Sequence, residues 1–262
     1  MDDLDAFRQE VRQWLDAHCP AAMRAPGPEE VVMGGSQAVF ATVEQQHWFE
    51  RMRDKGWFAP GWPTQYGGGG LDAQRVRVLE DEMRRMKCRV PQVNIGIRML
   101  GPVLLEFGTE AQKQRFLPPM TRGEQGWCQG FSEPNAGSDL ASLKMAARAD
   151  GDHYVVSGAK IWTSGADKAD WMYALVRTDA AAPKHLGISL LLIDMKSPGI
   201  TVRPIELISG ASKFCQVFFD DVRVPAENLV GPVNGGWAVA KRLLQHEREA
   251  MSKMGDLNLP TQ

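Results

Sequence analysis

The chain has 262 residues, with 30 Lys and Arg against 32 Asp and Glu, a formal net charge of −2, 44% hydrophobic and 24% charged residues. So even a balance gives no electrostatic reason to expect nucleic acid or an anionic membrane as partner, and the composition is that of a globular chain long enough for two domains. Cys19, Cys88, Cys128 and Cys215 lack CxxC or zinc spacing, no apolar run is long enough to span a membrane, and the acidic start MDDLDAF is unlike a signal peptide. These features predict reduced thiols, no metal and a cytoplasmic location.

From residue 2 to about 125 the apolar period is helical. Leu4, Phe7, Val11, Trp14 and Leu15 form one stripe, and Asp2 and Asp3 suit a positive helix N-terminus. A Pro/Gly-rich connection from Pro20 to Gly35 leads to a second helix over roughly Ala41 to Lys55, stopped by Gly56. Trp57–Leu71 (WFAPGWPTQYGGGGL) is predicted to be loop. Its glycines do not spell a phosphate loop, because no strand precedes them and neither Lys-Ser/Thr nor GxGxxG spacing is present. The next helix carries Val76, Leu79, Met83 and Met86 on a core stripe. Asn94 to Phe107 reads as a buried apolar helix interrupted by Gly96, Gly101 and Pro102. Thr109 and Gln112 form a capping-box pattern opening a helix predicted to end at Pro118-Pro119. Helices give way to strands near Gly123.

From Trp127 to about Val224 the period switches to two. HYVVSG, WMYALVRT, ISLLLIDM, ITVRPI and CQVFFDDVRVP are short strand-like runs parted by Gly, Pro, Asp and Asn. This spacing predicts an antiparallel barrel or sandwich rather than βαβ units, which also disfavours a Rossmann fold. WCQGFSEPNAGSD (Trp127–Asp139) runs from strand into a turn where Pro134 fixes φ and Asn135 and Gly137 tolerate left-handed backbone. Free amides and the hydroxyls of Ser132 and Ser138 suit a ligand rich in acceptors, although a self-capping surface turn has the same composition. A second Gly-rich bend gathers Trp162, Thr163 and Ser164.

After Pro225 and the linker GPVNGG, Gly236–Gly255 reads as a helix with Trp237, Ala240, Leu243, Leu244, Met251 and Met254 on one broad face. At about 100° per residue Glu247 falls inside that stripe. A carboxylate there is costly unless paired, so the pattern alone allows a base, a pair with Arg248, or an exposed end of the stripe.

SEPNAGSD, then GAKIWTSGA, then PKHLGISLLLIDMKSPGITV, with WP…YGG…GL before them, resemble the acyl-CoA dehydrogenase family. These flavoenzymes oxidise the Cα–Cβ bond of acyl-CoA thioesters. The resemblance implies an α+β fold: a helical domain over 1–123, a flavin-binding antiparallel β-barrel or sandwich domain over 124–230, and over 231–262 the first helix of a C-terminal helical domain that relatives continue. It implies FAD, with Gln129, Phe131 and Ser132 lining the ring and Gly137 and Ser138 approaching the flavin or CoA phosphates. Trp162 would flank the ring with Thr163, and Ser164, where the family has threonine, would offer its hydroxyl near N5. Ser138, Gln245, His246 and Arg248 would meet the substrate.

Most members keep the catalytic glutamate beyond this chain's end. The isovaleryl-CoA and long-chain types place it on the first helix after the β-domain, just before an arginine, where Glu247-Arg248 stand. The resemblance therefore makes Glu247 the base that removes the α-proton as the β-hydride passes to flavin N5. It further implies a role in fatty-acid β-oxidation, an electron-transfer flavoprotein as acceptor, and a homo- or hetero-oligomer. Two other readings stay open: a non-catalytic subunit completing a composite flavin/CoA site, and a related flavin oxidase or monooxygenase.

Overall fold

The computed structural model describes residues 3–24 and 32–254, with backbone alone from 249 onward. Asp2, the side chains of Met251 and Met254, and part of the Pro20–Gly35 connection lie outside the described residues. Helix α1 (Asp3–His18) packs on α3 (Ala73–Arg85) through Val11, Leu15 and Leu79, with Trp48 and Met52 of α2 (Val43–Asp54) closing the cluster. Caps define the helix starts: Thr42 accepts from the Gln45 amide at 3.1 Å and Asp72 from the Arg75 amide at 2.8 Å. The Trp57–Leu71 segment is a loop whose glycines are packing requirements. A Cβ on Gly68 would stand 2.2 Å from the Trp62 carbonyl, and Gly67 sits at φ +85°.

Two helical expectations need correction. Asn94–Phe107 is not one α-helix: a π-helical turn, Gly96–Leu100, precedes α4 (Gly101–Phe107). Pro102 has no N–H to offer the preceding turn, and the Gly101 amide reaches back five residues to the Gly96 carbonyl. Conversely, α5 (Glu110–Thr121) does not stop at Pro118-Pro119 but runs through them. The lost donors are tolerated because Phe116, Leu117 and Met120 are fully buried and Thr121 Oγ1 donates to the Pro118 carbonyl at 2.9 Å.

Eight strands follow: β1 (Trp127–Gly130), β2 (Ala146–Asp150), β3 (His153–Ser164), β4 (Trp171–Arg177), β5 (Ile188–Asp194), β6 (Ile200–Ile205), β7 (Phe214–Pro225) and β8 (Leu229–Val230). They form one sheet in the order β6-β7-β3-β2-β4-β5-β8, with β1 paired to β4. Pairing is antiparallel except for β1 on β4 and a single parallel contact of β2 with β4. Helix α6 (Gly236–Met254) then lays Val239, Ala240 and Leu243 on β5, α4 and the π-helical turn. The order is the predicted one: helices, strands, then a helix. All four cysteines are free and buried. No helix among the described residues is long and apolar enough to cross a membrane.

Candidate active site

Parallel pairing sets Gln129 of β1 opposite Tyr173 of β4. The buried Tyr173 hydroxyl donates to Gln129 Oε1 at 2.9 Å, which orients the amide so that Nε2 donates to Glu247 Oε2 at 3.3 Å. Burial, reinforced by Glu247, holds the Tyr173 phenol well above its ordinary pKa, so it stays a donor. Glu247 is half-buried, and its partner is Gln129 rather than the neighbouring Arg248, which is exposed. Phe131 is buried with its ring edge-on to Tyr173, centroids 6.1 Å apart.

The segment after β1 is fixed by residues that sequence reasoning missed. Glu133 and Ala136 exchange backbone hydrogen bonds at 2.9 and 3.0 Å, closing the turn. The Glu133 carboxylate accepts from the Lys144 and Met145 amides at 2.7 and 2.9 Å and from Lys160 Nζ at 2.8 Å. Lys160, on β3, is 0% exposed and also donates to the Phe131 carbonyl at 3.1 Å. Burial pushes Lys160 down to about 8, with Glu133 acting in the opposite sense. Strand alternation offered a signal, since Tyr154, Val156 and Lys160 share the inward parity.

Beside this pair, the Ile161 amide donates to the Ser132 carbonyl at 2.9 Å, joining the first bend to the second. Asn135 and Gly137 do not use the left-handed backbone they tolerate; Trp162 does, at φ +60°. That conformation costs a bulky residue about 1–3 kcal/mol. It accompanies the register shift between Lys160 and Thr163 and leaves the indole 55% exposed, edge-on to Phe214 at 6.2 Å. Thr163 is buried and its Oγ1 has no hydrogen-bond partner among the described residues, while Ser164 is exposed.

The predicted residues thus form two joined groups, Gln129, Phe131 and Glu247 in one and Ser132 with 162–164 in the other, linked by the continuous backbone that leads from β1 into the turn. Gly137, Ser138, Gln245 and Arg248 are exposed and lie outside these bonds, and nothing stands within 4 Å of a Cβ placed on Gly137. His246 lines a cavity among the N-terminal helices.

The acyl-CoA dehydrogenase N-terminal domain model matches residues 1–124, and the acyl-CoA dehydrogenase middle domain model matches residues 128–222. The chain belongs to the acyl-CoA dehydrogenase family. It is 39% identical over 251 residues to acyl-CoA dehydrogenase IpdE1 of Mycobacterium tuberculosis, covering 95% of this chain and 64% of that one. The Tcur3481-Tcur3483 steroid acyl-CoA dehydrogenase superposes with a TM-score of 0.75 at 34% identity, over 98% of this chain and 65% of that chain. The ChsE4-ChsE5 complex from Mycobacterium tuberculosis gives 0.70 at 32%, over 94% and 60%. This family member therefore spans less than two thirds of the length of these relatives.

Proposed function

We propose that this chain supplies the helical domain (1–123), the flavin-binding domain (124–230) and the first C-terminal helix (231–262) of an FAD-dependent acyl-CoA dehydrogenase whose base is Glu247. The observation that carries the reading is the Tyr173–Gln129–Glu247 chain of hydrogen bonds. It brings a carboxylate from α6 to the strand that leads into SEPNAGSD. The residues fit a flavin. Thr163 Oγ1 is buried without a partner among the described residues, the Trp162 indole stands exposed on a left-handed backbone, and Ser132 is tied to the same bend. Gln129, Phe131, Ser132, Trp162, Thr163 and Ser164 would hold its ring, and Gly137 and Ser138 its phosphates or those of CoA. When bound, the flavin supplies the two-electron acceptor for the β-hydrogen.

The chain's own part is positional. Gln129 Nε2 pins one carboxylate oxygen of Glu247, leaving the other to take the α-proton. Gln245 and Arg248 on the outer flank of α6, with Ser138, offer polar groups to the CoA portion. The likeness to a steroid acyl-CoA dehydrogenase and to a two-component complex supports a ring-bearing acyl group rather than a simple fatty acyl chain, and a second subunit that completes the helical part. Electron-transfer flavoprotein is the proposed acceptor and the cytoplasm the proposed location. In the protein purified with its flavin, Glu247→Gln is expected to abolish bleaching by acyl-CoA while the yellow cofactor stays bound. Normal bleaching by that variant would place the base elsewhere.

A further inference from the structure

The Trp57–Leu71 loop, α2, α3, the π-helical turn and His246 of α6 border an open cavity of about 370 Å3. This lies at the small end of ligand pockets, about 300–1,000 Å3, which is room for an acyl group and not for a whole CoA thioester. Trp57, Phe58, Trp62, Leu79, Met83 and Ile97 make its walls largely apolar. Three charged side chains line it as well, Glu80, Arg84 and Arg98, leaving one net positive charge. Arg98 stands in the π-helical turn itself, a local geometry often found at functional positions. Its backbone amide bonds to the Asn94 carbonyl at 3.3 Å, whereas its guanidinium makes no hydrogen bond among the described residues. Burial lowers the pKa of that guanidinium and Glu80 offsets part of the effect, so its charge is held in the cavity at a cost. A guanidinium presents parallel N–H donors matched to a carboxylate. His246 lines the same cavity one residue before Glu247, so the cavity reaches the turn of α6 that carries the proposed base.

We propose that this cavity receives the far end of an acyl group bearing a second carboxylate, which Arg98 binds; the inference rests on the reading of Glu247 as the base. The test measures binding of adipoyl-CoA and hexanoyl-CoA by calorimetry, in the flavin-loaded protein carrying Glu247→Gln so that no turnover follows. Adipoyl-CoA is expected to bind about tenfold more tightly. Arg98→Met is expected to erase that preference without weakening hexanoyl-CoA, and Arg98→Lys to keep part of it. Equal affinity in the protein that retains Arg98, or a preference that survives Arg98→Met, overturns the site and leaves the Glu247 reading standing. Binding of neither thioester overturns the site as well.

Discussion

Lys160 and Glu133 show how a buried ion pair holds a loop in place. With Lys160 at 0% and Glu133 at 9% exposure, each charge depends on the other. Replacing one partner strands its mate, at a cost of about 3–5 kcal/mol. Lys160→Met is therefore expected to lower stability by about that much, read by denaturant unfolding. Adding Glu133→Gln to it should recover a large part of the loss, because the orphaned charge is then gone. The pair also shows where residue-level reading stops. Ser132 and Trp162–Ser164 could be proposed from sequence because each group lies within a few residues of chain. Glu133 and Lys160 stand 27 positions apart, and their meeting depends on how β3 docks under the loop. Tyr173 was likewise hidden: nothing local predicts that β1 pairs with β4 in parallel and so sets it opposite Gln129.

Between elements, the contact of α1 with α3 is electrostatic as well as apolar. Glu82 is 2% exposed and accepts from Arg12 at 2.8 Å, Arg85 at 2.6 Å and Arg8 at 3.1 Å. Burial alone would raise its pKa, but the three guanidinium groups hold it down to about 2. A folded-state pKa below the unfolded one contributes stability that is present above the unfolded carboxylate range and is lost as pH falls through it toward 2. Glu82→Gln is therefore expected to cost about 2–3 kcal/mol at pH 7, with the gap from the parent protein closing between about pH 5 and pH 2. Thermal unfolding at a series of pH values measures it. Helical periodicity and capping boxes located the helices, since those signals are local. The π-helical turn and the passage of α5 through two prolines were not legible, because both depend on what the surrounding core will tolerate.

At the level of the whole molecule, the helical half is tied to the sheet by Asp170. It accepts the Ser36 amide at 2.9 Å and the Gly126 amide at 2.8 Å, and it also takes the Ser36 hydroxyl. Asp170→Ala leaves the buried Gly126 amide and the part-buried Ser36 amide without their acceptor and is expected to cost about 2–4 kcal/mol. Limited proteolysis between residues 32 and 42 should quicken in step, and unchanged cleavage would show that the joint is held elsewhere. The order of helices, strands and helix was legible from the switch in hydrophobic period near Gly123. The arrangement of strands in the sheet was not, since period two records a face and never a neighbour.

The consecutive placement of His246 and Glu247 has a mechanical consequence. On the proposed reading of Glu247, one helix carries both a wall of the chamber, through His246, and the proton acceptor. A guest too large or too small for the chamber would then tilt that helix and draw the proposed acceptor out of line with the carbon it must reach. On that reading, poorly fitting thioesters are expected to be rejected chiefly by sluggish chemistry after capture, which a ranking by kcat steeper than the ranking by Kd would show.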